Sequence, residues 1–252
     1  MSPPKIKFCG ITRPNDAELA VSLGAWAIGL NFWPGSPRAV SIPQAAELAA
    51  LVKRRCEAVG VFVNATLDEI AQSVDQTGIT IVQLHGDEGP SFATEVSRRT
   101  GCRVIKAMRV QGGDDIQSLI RFHTDFHLLD SYKPGIPGGT GETFNWDLMR
   151  LHDRLAPPPN KGRKVPVLLS GGLRPENVAE AIAVAQPWGV DVASGIESAP
   201  GFKDHQLMRA FADAVAAIAP LSSATPALTA ELATSSEDEL VLSEAKAEVE
   251  RG

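Results

Sequence analysis

Short, continuously apolar runs recur along this chain, and between them apolar positions return every three or four residues. The runs lie at 5–9, 26–31, 58–63, 80–85, 103–109, 126–130, 165–169 and 189–194, and such runs bounded by turn residues read as buried strands. Their spacing averages roughly 27 residues, the length of a repeating strand–helix unit. The intervening stretches read as helices with legible starts. Ser41-Ile42-Pro43-Gln44 and Thr66-Leu67-Asp68-Glu69 predict capping boxes, in which a hydroxyl and the following amide or acid satisfy otherwise unpaired backbone donors. Pro14 and Pro175 sit where a first helical turn tolerates proline. Eight such alternations predict a single (β/α)8 barrel, a TIM barrel of the α/β class, rather than an open doubly wound sheet of five or six strands. No Gly-x-Gly-x-x-Gly follows the first strand, which argues against a dinucleotide fold.

After Pro220 the pattern stops. The sequence turns to Ser, Thr, Ala and Pro and then to glutamate, as in Ser235-Ser236-Glu237-Asp238-Glu239. The expected organisation is therefore a barrel catalytic domain over 1–220 and an acidic low-complexity extension over 221–252. That extension lacks aromatics and reads as disordered, with a short helix over 237–250.

Charge changes the picture little. Of the net −6, residues 221–252 contribute −5, seven acids against two bases, so the body is near neutral. Basic residues are scattered and not interleaved with aromatics, which argues against nucleic acid. No apolar run approaches the roughly 18 residues of a membrane span. The amino terminus runs into the first strand without a secretory segment, so a cytoplasmic location is expected. Three cysteines, Cys9, Cys56 and Cys102, are too few and too far apart for a disulfide framework or a zinc site. Cys56 and Cys102 begin apolar runs and read as small structural residues.

Candidate chemistry sits at strand ends, because every strand of a closed parallel barrel ends on one common face. Cys9 ends the first run and Asp130 the sixth, offering a base and an acid. Taken alone, Cys9 reads more readily as a packed thiol than as a catalyst, but Gly10 after it permits a sharp turn and a close approach. An acid ending an apolar strand must be hydrogen-bonded, exposed at a mouth, or functional. Ser170-Gly171-Gly172 follows the seventh strand and Ser194-Gly195 the eighth, the places where such barrels present backbone N–H groups to a phosphate. Arg38 follows the second strand and is either a solvated cation or a bidentate clamp for a carboxylate. His85 closes the fourth strand, orienting a substrate or resting as a satisfied polar residue at the rim. Asp191 interrupts the apolar eighth strand, so it carries a structural bond or, as expected here, faces the barrel interior as a substrate-binding residue.

In this order the strings resemble one family, phosphoribosylanthranilate isomerase. They are Lys7-Phe8-Cys9-Gly10-Ile11-Thr12, Ser36-Pro37-Arg38, Gln83-Leu84-His85-Gly86-Asp87-Glu88, Leu129-Asp130-Ser131, the segment 138–146 that begins Gly138-Gly139-Thr140, Ser170-Gly171-Gly172-Leu173, and Gly189 to Glu197. The resemblance covers about residues 5 to 215. It implies an Amadori rearrangement of N-(5-phosphoribosyl)anthranilate to 1-(2-carboxyphenylamino)-1-deoxyribulose 5-phosphate in tryptophan biosynthesis. Cys9 matches the family's general base, Asp130 its general acid, Arg38 the holder of the anthranilate carboxylate, and the two glycine turns its phosphate cradle. The implied partner is a small phosphosugar, with no cofactor and no metal, acting on a monomer or homodimer. Departures from the family pattern, Glu142, Asn145 and Ala193, touch neither the acid, the base nor Arg38. The long segment from Ser131 to Thr143 is expected to move over bound substrate. The competing readings are another phosphosugar isomerase of histidine or tryptophan synthesis, and a non-catalytic phosphosugar-binding barrel.

Overall fold

Each predicted strand forms, within two residues of its expected bounds, and each pairs in parallel with its neighbour. The computed structural model describes residues 3–130, 147–155 and 164–218. The strands are β1 (Lys5–Cys9), β2 (Ala27–Asn31), β3 (Glu57–Phe62), β4 (Ile81–Leu84), β5 (Arg103–Arg109), β6 (Phe126–Asp130), β7 (Val167–Ser170) and β8 (Gly189–Val192). Pairing of β8 back onto β1, from Lys5 opposite Gly189 to Phe8 opposite Val192, closes the barrel. The helices are α1 (Pro14–Ser22), α2 (Ile42–Val52), α3 (Leu67–Thr77), α4 (Pro90–Thr100), α5 (Gly113–Leu119), α6 (Asp147–Leu155), α7 (Val178–Ala185) and α8 (His205–Ala216). Between β8 and α8 run a single 3-10 turn (Ser194–Ile196) and a small hairpin, β9 (Glu197–Ala199) with β10 (Phe202–Lys203). The expected mobile segment 131–143 and the extension over 221–252 fall outside the described residues.

The start signals are partly corrected. Thr66 and Glu69 make the full capping box of α3, and Pro14 opens α1. Ser41 does cap α2, accepting from the Gln44 backbone N–H. The Gln44 side chain does not complete the box; it donates to the Thr12 carbonyl at 2.7 Å, a tertiary partner that a local pattern cannot reveal. Pro175 lies in the turn that leads into α7 rather than within the helix.

Strand side chains alternate between two faces, and here both faces are buried. Outward residues, among them Phe8, Ile28, Leu30, Val82, Leu84, Leu129, Leu169 and Val190, pack beneath the helices. Inward residues Ala27, Val59, Val61, Ile81, Ile105, Ala107, Leu128 and Leu168 fill the barrel, with Trp26, Phe126 and Trp188. Those three rings, 4.9–5.3 Å apart between centroids, sit at or just before strand starts and close the amino-terminal mouth. At the other end the inward positions turn polar: Lys7 and Cys9 on β1, Gln83 on β4, Asp130 on β6, Ser170 on β7 and Asp191 on β8. Lys7, Gln83 and Asp191, the buried polar side chains that point into the barrel, thus gather toward that end. Among the described residues no helix is long and apolar enough to cross a membrane.

Candidate active site

Cys9 ends β1 half-buried, two positions beyond Lys7, so both side chains point inward. Lys7 Nζ donates to Asp191 Oδ1 at 2.8 Å, and Ser170 Oγ donates to Asp191 Oδ2 at 3.0 Å. Asp191 therefore faces the interior, as expected, and serves there as the counter-ion of a buried ammonium. The neighbouring β2 position is Gly29, where an added Cβ would lie 2.8 Å from Cys9 Sγ and 3.2 Å from Lys7 Nζ. The thiol and the ammonium occupy the space that this glycine leaves. Burial pushes the Cys9 thiol above its ordinary value; Lys7 and Lys203 pull it down, Asp191 pushes it further up, and burial prevails. Burial works against the Lys7 ammonium too, but Asp191 and Cys9 together hold it above its usual value. The other two cysteines behave as structural residues: Cys102 is buried, and burial pushes the half-buried Cys56 up to about 12.

Arg38 is half-buried, and its fork is already engaged. Nε donates to Glu197 Oε1 at 2.8 Å and Nη2 to Glu197 Oε2 at 2.6 Å. Glu197 Oε1 also accepts from Lys203 Nζ at 2.8 Å, and Lys203 donates to the Ala193 carbonyl at 2.9 Å. Glu197 thus takes one edge of the Arg38 guanidinium from within the chain. A guanidinium carries five N–H donors, so the edge bearing Nη1 is not used by Glu197. Burial disfavours the Glu197 carboxylate, but the bonds from Arg38 and Lys203 outweigh it and hold it below its ordinary range. Gly10, at φ +73°, carries the chain past Cys9 into this cluster; an added Cβ there would come within 2.5 Å of Arg38 Cδ.

Asp130, at the end of β6, receives His85. The His85 Nε2 atom lies 3.2 Å from Asp130 Oδ2, and His85 Nδ1 lies 2.9 Å from Gln83 Nε2. Sequence reasoning leaves His85 between two roles; the structure puts it against the candidate acid. Glu197, Lys203, Lys7 and Gln83 are the polar members that sequence reasoning does not single out, although all but Lys203 stand inside quoted strings.

The two glycine turns lie at the ends of β7 and β8. Gly171 and Gly172 have φ of +89° and +65°, a region few other residues adopt, and Asn177 pins the turn by accepting from the Arg174 N–H at 2.8 Å and donating to the Gly172 carbonyl at 3.0 Å. An added Cβ at Gly172 would meet nothing within 4 Å, so this backbone borders open space. Gly195 follows β8 within the 3-10 turn Ser194–Ile196. A Cβ there would overlap the Leu173 carbonyl, so Gly195 lets the 3-10 turn that begins at Ser194 pack against the neighbouring loop, and a side chain would displace that loop rather than merely block a ligand. Two surface cavities, of about 510 and 610 Å³, lie elsewhere and are lined by none of these candidate residues. Among the described residues no group of three or more His, Cys, Asp or Glu is placed to hold a metal ion.

Comparison with known proteins places this arrangement. The family model described as N-(5'phosphoribosyl)anthranilate (PRA) isomerase matches residues 6–214. The N-(5'-phosphoribosyl)anthranilate isomerase of Myxococcus xanthus is 46% identical over 221 residues, covering 85% of this chain and 97% of that protein. Among solved structures, monomers generated from the dimeric phosphoribosylanthranilate isomerase of Thermotoga maritima superpose with a TM-score of 0.72 at 32% identity, covering 85% of this chain and 100% of that one. A phosphoribosyl anthranilate isomerase in complex with reduced 1-(o-carboxyphenylamino)-1-deoxyribulose 5-phosphate gives a TM-score of 0.73 at 33% identity, with the same coverage.

Proposed function

The chain belongs to the N-(5'-phosphoribosyl)anthranilate isomerase family, and from that premise we propose how its own residues divide the reaction. It is an isomerase of tryptophan biosynthesis, converting N-(5-phosphoribosyl)anthranilate to 1-(2-carboxyphenylamino)-1-deoxyribulose 5-phosphate. Asp130 gives a proton to the furanose ring oxygen, the ring opens, and an iminium forms at C1′. That cation acidifies C2′–H, which the Cys9 thiolate removes to leave an enolamine. The thiol then returns the proton to C1′ while the C2′ hydroxyl gives up its own, which restores Asp130 and leaves the ketone. No proton is gained or lost overall.

Neither group suits its task unperturbed. An ordinary carboxylic acid of pKa about 3.9 is protonated in roughly one molecule per thousand at pH 7, and an ordinary thiol of about 8.5 is only a few per cent thiolate. Burial raises Cys9 further, so the thiol gives its proton to solvent water as the iminium develops beside it and takes one back when turnover ends. Arg38, oriented by Glu197, offers its remaining N–H edge to the anthranilate carboxylate. The backbone at Gly171, Gly172, Ser194 and Gly195 takes the phosphate, with His85 and Asp191 supporting the acid and the base. The quaternary state we expect is a monomer or a homodimer.

The observation that carries this reading is that, in a chain of this family, a cysteine ends β1 beside Lys7 and an aspartate ends β6 beside His85, at one mouth of the barrel. Purified protein should abolish the fluorescence of N-(5-phosphoribosyl)anthranilate catalytically, and persistence of that fluorescence would overturn the reading.

A further inference from the structure

Gln83 is a fully buried polar side chain that the mechanism above does not use. It projects into the barrel from β4, its Nε2 atom 2.9 Å from His85 Nδ1, while its Oε1 atom is buried and has no hydrogen-bond partner. On the far side of the same imidazole, Nε2 lies 3.2 Å from Asp130 Oδ2. The three side chains form a line: amide, imidazole, carboxyl.

A neutral imidazole carries one proton, and the group facing each nitrogen decides where it sits. If the amide presents N–H to Nδ1, that nitrogen must be bare. The single proton is then on Nε2, donated to Asp130, which must accept it as a carboxylate. If the amide presents its oxygen instead, Nδ1 carries the proton. Nε2 is then bare unless a further proton joins the line between Nε2 and Oδ2, where it can sit on Asp130. Exchanging the two ends of an amide leaves every heavy-atom contact in place, and it would give the acceptor Oε1, idle as placed, a donor in Nδ1–H.

We propose that Gln83 is a positioning residue for the acid: its Oε1 faces His85 Nδ1 in the working enzyme, fixes the Nδ1–H form, and so keeps a transferable proton between His85 and Asp130. The inference rests on the reading of Asp130 as general acid, because only a residue that must give a proton needs this orientation.

The test uses the full-length protein labelled with ¹⁵N-histidine at neutral pH, with His85 identified by the resonance lost in His85→Asn. Expected in the parent is a protonated Nδ1. Gln83→Met, close in volume and unable to accept from Nδ1–H, should shift His85 to the Nε2–H form. It should lower kcat about tenfold or more, a part of the roughly 10²- to 10⁴-fold that a positioned acid supplies, with KM within about twofold. Gln83→Glu, whose carboxylate can also accept from Nδ1–H, should restore that form and most of the turnover. A bare Nδ1 in the parent, or Gln83→Met that keeps parental kcat, overturns the proposal. Asp130→Asn separates the two levels. If it is inactive while His85 keeps the wrong tautomer, the role of Gln83 alone fails; if it turns over normally, the acid assignment falls and takes this inference with it.

Discussion

A thiol that serves as a base is usually activated by a neighbouring cation, and at Cys9 the cation is present yet burial still prevails. The resting residue is therefore a neutral thiol. Lys7 acts against burial, so Lys7→Met should move alkylation of Cys9 by iodoacetamide to still higher pH, since the attraction is lost and the Asp191 charge is left uncompensated. Peptide-resolved mass spectrometry from neutral to alkaline pH checks this, and a shift toward lower pH would contradict it. The same variant should lose about 3–5 kcal/mol of stability in urea, as expected when one partner of a buried ion pair is removed. These residues also show what could be read in advance. Cys9 and Asp130 are conspicuous because each ends an apolar run with one reactive atom. The ion pairs around Cys9 are not, because Lys7 and Asp191 are 184 residues apart and Arg38 and Glu197 are 159 apart. Only closure of β8 onto β1, and the loops that closure brings together, makes them neighbours.

Between elements, the contact most exposed to pH joins β6 to α6. His127 on β6 and His152 on α6 are both buried, with His127 Nδ1 2.8 Å from His152 Nε2 and His127 Nε2 3.1 Å from the Phe122 carbonyl. A carbonyl can only accept, so His127 carries its proton on Nε2, and His152 donates from its own Nε2 to the bare Nδ1. Burial, with the His152 ring adding to it, holds His127 down at about 4. An unfolded histidine titrates near 6.5. Between those values the unfolded chain binds a proton that the folded chain refuses, so stability is full above about pH 6.5 and falls as pH drops toward 4. The loss approaches about 3 kcal/mol in total. His127→Leu should flatten the fall in urea midpoint over that range relative to the parent; parallel curves for the two proteins would contradict the account. The elements themselves were legible because strands buried on both faces read as continuous apolar runs. Caps were less so: the Thr66 box is purely local, whereas Gln44 is drawn to Thr12 by the fold.

Closure of the barrel and α8, the last helix among the described residues, are complete at Ala216, and the family match ends at 214. We propose that residues 221–252 add little to folding or turnover. A chain ending at Pro220 should keep its melting temperature within about 2 °C, a change of about 1 kcal/mol or less for a domain of this size, and close to parental kcat; a marked fall in either would show that the extension docks. The central claim is the division of labour across the barrel mouth, with Cys9 taking the proton from carbon and Asp130 supplying one to oxygen. Its most direct test is kcat on substrate with hydrogen or deuterium at C2′, measured in Cys9→Ser and Asp130→Asn. Each variant should lose about 10²- to 10⁴-fold. Cys9→Ser should then show a large primary isotope effect, because a serine hydroxyl is almost never ionised at neutral pH and cleavage of the C2′–H bond becomes slow. Asp130→Asn should show little, because ring opening precedes that step. Near-parental turnover in Cys9→Ser, or the same isotope effect in both variants, would contradict the account.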